Sequence, residues 1–469
     1  MISPTEELSK FACELTFERL PKDSLHAAKR VIMNDLMCIL GGATTKKGKK
    51  LAEIIKSFES KEESTLIGIG DKASCMHAAF FGSNSLSIMN SMCGYSPTGG
   101  IHPGEMLVAA TFAVAEPYRL NGKDLITAIV AGTEVISRIG LALQPDAPYV
   151  WNKGISCCGT AGCIGSSVAV GKLLGLDWRG IERAIGLAVQ FAPLGMYGIQ
   201  PAGFPSDVRL GGQILSPGAS ASAGVQAALY AHKGFGGISH VLESPKGFCY
   251  GLSENPDLNE LTKGLGEKYK IEDFYFKRYG ACRFVNGAID VALELTKKHD
   301  IKPDDVERII VKASTMTAKR NKYVAMSDSL FDKQSKSLQY NVAYAITHRD
   351  AISDPRYSLD ETMHRDERVY ELEKRVEVLH EPEYDKAWPA MPTYVEIFMK
   401  NGEKYSNLVK SFSGEPTNSP LTDEELEERI RKVTSVILSK ERVSNVVDCI
   451  WQLEKIGDVS ELIDLLSPK

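Results

Sequence analysis

Ten cysteines are spread through 469 residues, and none is spaced as CxxC or in a repeated pattern. That speaks against a zinc ribbon and against a disulfide framework. Several stand in apolar runs, as Cys38 does in LMCIL, where a free thiol behaves as a small hydrophobe in a reducing compartment. An excess of positive charge is missing too. There are 55 Lys and Arg against 60 Asp and Glu, a formal net charge of −5, with a pI near 6.1. The chain therefore offers no basic field of the kind that draws in nucleic acid or an anionic membrane. No apolar stretch approaches the eighteen or more residues expected of a membrane helix, and the opening MISPTEELSK has neither a basic n-region nor an apolar h-region. A cytoplasmic protein with no nucleic-acid or membrane partner is expected. Phosphate loops are also missing: GTAGCIGSSVAVGKLLGL at 159–176 is rich in glycine, yet it holds neither GxGxxG nor GxxxxGK[ST]. Its small residues read as close helix packing.

What is present is a large apolar fraction, 43%, enough for an extensive core divided over two or three domains. The first two thirds read as successive helices. Ser3, Pro4 and Glu6 supply a cap, a first-turn proline and a first-turn acid. From Ser24 to Leu40, Val31, Ile32, Leu36 and Ile39 fall at helical spacing, and Gly41-Gly42 reads as the stop. Similar stretches follow around 105–116, 124–143, 160–175, 181–192 and 218–233. The texture changes near 265. Val306 to Ala313 reads as a strand, and Tyr394 to Met399 leads through Asn401-Gly402 into Lys404 to Val409 as a hairpin. Helices are expected between them, at about 286–298 and 337–347. At the end, Thr422 and Glu425 form a capping box, followed by a stripe of Leu426, Ile430, Val433 and Ile437. The expected organisation is a mainly α fold: an all-helical domain over 1–265, a smaller α+β domain over 266–410, and a helical tail over 411–469 that rejoins the first.

Several phrases stand in an order and spacing that chance does not readily produce. They are LPKDSLHAAKRVIMNDLMCILGGA at 20–43, IHPGEMLVAATFAVAE at 101–116, VAVGKLLGLDWRGIERAIGLA at 168–188, FKRYGACRFVNGAIDVALEL at 276–295 and SGEPTNSPLTDEEL at 413–426. With the layout above, the chain resembles the MmgE/PrpD family over nearly its whole length. That family includes 2-methylcitrate dehydratases, cis-aconitate decarboxylases and an iminodisuccinate epimerase. The resemblance implies a site in the cleft between the two domains, a homodimer, and chemistry that needs no metal, iron–sulfur cluster or other cofactor.

Dehydration, decarboxylation and epimerisation of small polycarboxylic acids share one demand. Charge develops beside a carboxylate, so a proton carrier and a cation for carboxylate oxygens are required. Histidine titrates near neutrality, and Lys or Arg binds carboxylate as a charge or a planar fork. His102, in the turn GGIHPGE ahead of an apolar helix, matches the family's active-site histidine and sits where a helix N-terminus also favours anions. Lys277, in FKRYGAC, matches a lysine of the substrate pocket. Tyr340, in SLQYNVAYAI, matches a tyrosine facing the substrate, although its apolar setting suits a core aromatic equally.

The departures from the family pattern are as informative. The acidic run D-x-D-D-T expected before the histidine reads CGYSPTGG, with Cys93 in place of the first aspartate and Ser96 or Thr98 in place of the threonine. A lysine–histidine pair becomes Gln213 and Ser216 in QILSPGASASAG. G-[FW]-H-P-T becomes Gly154-Ile155-Ser156-Cys157-Cys158, and a position that is sometimes histidine is Cys282. Each lost charge is a lost proton relay or carboxylate contact, so substrate or reaction should differ. Arg209, in SDVRLGG, and Arg283, in ACRFVNG, are candidates to restore carboxylate binding, alongside Gln213, Cys282, Ser96 and Thr98. The leading expectation is a lyase, dehydratase or decarboxylase, using His102, Lys277 and Tyr340. An epimerase pairing His102 with Tyr340 or Cys282 stands close behind, because the missing acidic run leaves no carboxylate to help a hydroxyl depart. A thiol enzyme built on Cys282 or Cys157 lacks a local signature. A non-catalytic metabolite-binding dimer is the alternative from another class.

Overall fold

The computed structural model describes residues 2–99, 101–143, 155–194, 215–324, 330–352 and 366–467, with the backbone alone at 320, 322–324 and 330–332. The first helix, α1, runs Pro4–Glu14, and the Ser3 hydroxyl accepts from the Glu6 N–H at 3.2 Å. Then follow α2 (Lys22–Ala43), α3 (Lys46–Lys56), α4 (Cys75–Met89), α5 (Pro103–Tyr118), α6 (Gly122–Ala142), α7 (Cys157–Leu173), α8 (Trp178–Phe191) and α9 (Ser216–His232). Gly41 and Gly42 do not end α2 as expected; the helix runs through them. A Cβ on Gly42 would lie 1.8 Å from the Ser85 carbonyl oxygen, so this glycine lets α2 and α4 touch backbone to backbone. The small residues of α7 work in the same way: a Cβ on Gly224 of α9 would come within 2.4 Å of the Ser166 Cβ.

One expectation about apolar runs needs correcting. Helix α6 is 21 residues long and holds an 18-residue window with a mean hydropathy of 1.6, which satisfies the length and composition of a membrane span, but 94% of that window is buried inside the protein. It is a central core helix. Its two charged inner residues, Glu134 and Arg138, lie one turn apart and pair at 2.7 Å with almost no exposure. Arg138 also donates to the Lys263 carbonyl at 2.8 Å, and Glu134 accepts from the Lys270 N–H at 2.8 Å.

Two short ladders lie within the helical part: β1 (Ser64–Thr65) with β2 (Lys72–Ala73), and β3 (Gly94–Tyr95) with β4 (Phe274–Tyr275), both antiparallel. The main sheet comprises β5 (Val306–Ala313), β6 (Val376–His380), β7 (Thr393–Met399) and β8 (Lys404–Val409), in the order β6-β5-β7-β8. The hairpin β7–β8 turns with the Gly402 N–H on the Met399 carbonyl at 2.9 Å, and Gly402 takes the left-handed position after that turn with a φ of +90°. Strand β6 had no counterpart in the sequence reading; it pairs parallel to β5 after a long crossover. Helices α10 (Arg283–Lys298) and α11 (Leu338–His348) supply the other half of the sheet's core.

The last helices are α12 (Asp423–Thr434), α13 (Lys440–Trp451) and α14 (Ser460–Leu466). The Thr422–Glu425 capping box opens α12; Leu426, Ile430 and Val433 are buried along it, while Ile437 lies beyond its end. Apolar side chains from Leu421 to Leu466 belong to the same core cluster as those between Leu8 and Phe276, whereas those from Ala281 to Met399 form a second cluster. Between the two sits a small seam of Tyr275, Phe284, Met391 and Phe412.

Candidate active site

The chemistry-bearing residues gather at that seam. His102 is the N-cap of α5, preceded by a tight turn and followed by Pro103 at the first helical position. Thr98 closes the turn: its hydroxyl donates to the Tyr95 carbonyl at 2.8 Å and accepts from the Ile101 N–H at 3.2 Å. The Tyr95 N–H reaches the Ile101 carbonyl at 3.0 Å. His102 Nδ1 lies 2.7 Å from the Cys93 carbonyl oxygen, which accepts only, so Nδ1 carries the proton and Nε2 is the basic nitrogen. The β3–β4 ladder sets Tyr275 opposite Gly94 and brings its hydroxyl to 3.4 Å from His102 Nδ1. The His102 backbone N–H donates to the Cys158 sulfur at 3.3 Å.

Lys277 follows two residues after β4 and is 2% exposed. Its Nζ donates to the Asn90 carbonyl at 2.9 Å and lies 3.1 Å from the Met92 sulfur. Burial pulls its ammonium down to about 8, with Cys282 and then Glu105 opposing the fall. The carboxylates missing from the CGYSPTGG stretch arrive from other elements. Asp35, inside α2, is fully buried, receives the Asn34 side-chain amide at 2.6 Å and lies 3.6 Å from the Cys93 sulfur. Glu105, in the first turn of α5, is 3% exposed and accepts from the Ser87 hydroxyl. Burial raises both acids to about 7, with the Asn34 and Ser87 hydrogen bonds, respectively, opposing the rise. So Cys93 and Cys158 are not simply small hydrophobes: each borders the polar cluster, and burial holds both thiols protonated.

The tail completes the arrangement. Arg429 of α12 is buried and donates to the Lys277 carbonyl, to the Asn34 side-chain oxygen and, at 3.4 Å, to the Ser91 carbonyl. One guanidinium thereby ties together α2, the segment after α4 and the segment after β4 that carries Lys277.

Other sequence candidates take different places. Arg283, the first residue of α10, is 2% exposed, and its guanidinium lies 5.5 Å from the Tyr275 ring, 5.1 Å from Phe284 and 5.2 Å from Trp388. Cys282 is partly accessible, and its N–H donates to the Ser335 carbonyl at 2.7 Å. His102 is likewise partly accessible, whereas Lys277, Glu105, Asp35, Tyr275 and Arg283 are buried. Ser96 is buried at the start of the 96–98 turn, and its hydroxyl has no hydrogen-bond partner among the described residues. Ser156 caps α7 by accepting from the Gly159 N–H at 2.9 Å. Tyr340 lies in the sheet-side core with the Tyr344 and Tyr370 rings at 6.3 and 5.8 Å; burial raises its hydroxyl to about 12, against a hydrogen bond from Gln334. Its described contacts do not join it to His102 or Lys277. Arg209 and Gln213 lie outside the described residues.

Sequence reasoning missed Asp35, Glu105, Tyr275 and Arg429. A usable signal existed for the two acids: each is a lone carboxylate within an apolar helical run, VIMNDLMCIL and HPGEMLVAA, where an ionisable group is rarely without a partner or a task.

A helical core joined to an α+β unit, with a histidine, a lysine and two buried carboxylates near the seam, is a two-domain, mainly α architecture. The chain belongs to the MmgE/PrpD family: the MmgE/PrpD N-terminal domain matches residues 6–261 and the C-terminal domain residues 279–453. Among curated relatives, a cis-aconitate decarboxylase of Aspergillus terreus is 24% identical over 483 residues, covering 99% of this chain and 96% of its own. The cis-aconitate decarboxylase of Homo sapiens is 25% identical, with 99% and 94% covered, and that of Mus musculus 24%, with 99% and 93%.

Proposed function

We propose that this protein is a lyase that removes carbon dioxide, or alternatively water, from a small di- or tricarboxylic acid by proton transfer beside a carboxylate, without a cofactor. The observation that supports the reading is the β3–β4 ladder, which sets Tyr275 against His102 two residues before the buried Lys277, in a chain whose family relatives over 99% of its length are named cis-aconitate decarboxylases. Loss of carbon dioxide leaves the bonding electron pair on the substrate carbon, and that carbon then takes up a proton. Protonated at Nε2, His102 supplies it, while its Nδ1–H stays on the Cys93 carbonyl and keeps the ring oriented. The Lys277 ammonium offsets negative charge on a remaining carboxylate in a site with little water to screen it.

The argument that favoured an epimerase was the lack of a carboxylate near the histidine. Asp35 and Glu105, buried in α2 and in the first turn of α5, weigh against that argument, and the lyase reading is kept first. The test is carbon dioxide release from cis-aconitate and from citrate-like and substituted succinate acids, with and without a chelator, by the wild type and by His102→Ala and Lys277→Met. Release that survives the chelator and is lost in both variants supports the proposal. Release that requires added metal, or that persists in His102→Ala, overturns it. A homodimer and a cytoplasmic location remain part of the proposal, testable by light scattering and by fractionation.

A further inference from the structure

Lys277 and His102 are both hydrogen-bonded to one short run of chain, residues 90–93, which leads from α4 to β3. Its Asn90 carbonyl accepts from Lys277 Nζ at 2.9 Å, and its Cys93 carbonyl accepts from His102 Nδ1 at 2.7 Å. Between these two, the Ser91 carbonyl accepts from Arg429 at 3.4 Å and from the Asn34 side-chain amide at 3.3 Å. Arg429 also donates to the backbone carbonyl of Lys277 itself. We infer that Arg429 is a positioning residue of the site: it clamps the 90–93 run to the segment carrying Lys277 and so fixes the histidine relative to the lysine. That the two act on one substrate rests on the lyase reading; the clamp itself does not.

The arginine acts from a fixed place. It shares the buried stripe of α12 with Leu426, Ile430 and Val433, which belong to the helical core. Burying a guanidinium is costly unless hydrogen bonds compensate it, and those described for this side chain all leave its own helix. Nη1 donates to the Lys277 carbonyl, while Nη2 donates to the Asn34 side-chain oxygen and the Ser91 carbonyl. One rigid plane therefore spans the gap between the two segments, which a flexible ammonium would not do. A second path runs through Asn34. Its amide donates to Asp35 at 2.6 Å, and Asp35 lies 3.6 Å from the sulfur of Cys93, the residue whose carbonyl orients His102. Arg429 thus holds the run directly at Ser91 and, through Asn34 and Asp35, at Cys93.

The experiment reads the His102 ring in the full-length protein, with no need for turnover. In 15N–1H spectra recorded above the usual histidine range, the His102 signals are identified by their loss in His102→Gln. The wild type should show one tautomer, with the proton on Nδ1. Arg429→Met removes every donor of the clamp and should draw the two ring nitrogens toward an average, as the Cys93 carbonyl leaves its place. Arg429→Lys keeps the charge but not the fork and should move them the same way by less. Asn34→Ala cuts the path to Asp35, should also move them, and serves if neither arginine variant folds. A fixed Nδ1 tautomer in every variant that folds overturns the inference, since a merely structural arginine would lower the melting temperature and leave the ring alone. Carbon dioxide release from cis-aconitate separates the two proposals. In Arg429→Met kcat should fall on the order of 100-fold, and an unchanged kcat beside a moved tautomer overturns the positioning role. A moved tautomer with no release even by the wild type upholds the clamp and counts against the lyase reading.

Discussion

Gly94→Ala should disable the site while leaving the fold largely intact. Gly94 lies in β3 opposite Tyr275, and a Cβ added there would stand 2.7 Å from the Tyr275 hydroxyl, 2.8 Å from His102 Nδ1 and 2.8 Å from the Ile101 carbonyl. Nonbonded carbon contacts settle at about 3.5–4.0 Å, so each neighbour must give by roughly 0.7 Å. The ladder and the turn hold Tyr275 and Ile101, so the side chain expected to shift is that of His102, a partly exposed residue. Moving it stretches the 2.7 Å bond from Nδ1 to the Cys93 carbonyl, which fixes both the tautomer and the aim of the ring. Overpacking of this kind costs about 1–3 kcal/mol in stability, and a displacement near 1 Å in a catalytic group costs on the order of 100-fold in rate. The assay is kcat for carbon dioxide release beside a thermal melt, with 15N–1H spectra of the histidine ring reporting the tautomer. A melt lowered by a few degrees with kcat down about 100-fold fits the reasoning. Wild-type kcat, or a histidine spectrum unchanged in the variant, refutes it.

The buried titratable groups make stability depend on pH in a defined sense. Asp35 and Glu105 rise from 3.8 and 4.5 to about 7, so their contribution is complete below about pH 4 and is lost as pH climbs through 7. Lys277 falls from 10.5 to about 8, so its contribution is complete above 10.5 and is lost as pH drops through 8. Urea unfolding should show Asp35→Asn and Glu105→Gln flattening the decline from pH 4 to 7, and Lys277→Met flattening the rise from 8 to 10.5; parallel curves for wild type and variants would contradict this. Arg138→Met strands Glu134 in the core of α6 and should cost about 3–5 kcal/mol, with part of the loss recovered in the Glu134→Gln double variant; a double variant no more stable than the single would count against a paired charge. Thr422→Ala removes the hydroxyl that caps α12 at the Glu425 N–H, 3.2 Å away, and should lower stability by about 1 kcal/mol. Since α12 carries Arg429, its loss should also weaken activity, and an unchanged denaturation midpoint would sink the prediction.

Much of the fold was legible because its signals are local. Ser3, Pro4 and Glu6 sit in the turn they cap, the Thr422–Glu425 box closes within four residues, and Asn401-Gly402 turns the very hairpin it announces. The failures were nonlocal. Gly41-Gly42 reads as a stop within α2, and only the Ser85 backbone on α4 shows that it is a contact. Strand β6 is five residues long and takes its identity from β5, more than sixty residues earlier. The site divides in the same manner. His102 carries its own turn and helix start, and resemblance pointed to Lys277. The partners that define their chemistry come from α2, α5, β4 and α12, which no spacing relates, so Asp35, Glu105, Tyr275 and Arg429 appear only once the chain is folded. The CGYSPTGG stretch carries no acid of its own, yet Asp35 lies 3.6 Å from the Cys93 sulfur and Glu105 stands in the helical turn that follows His102.

The most direct test of the lyase reading is to incubate the protein in deuterium oxide with cis-aconitate and related acids and to follow substrate and product by NMR, beside His102→Ala. The account predicts a new product that has lost carbon dioxide or water, with deuterium carried wherever carbon has been reprotonated, and no such product from the variant. Deuterium exchange into recovered substrate without any new product would contradict it and identify an epimerase. Ligand-induced stabilisation with neither exchange nor product would contradict it in favour of a binding protein.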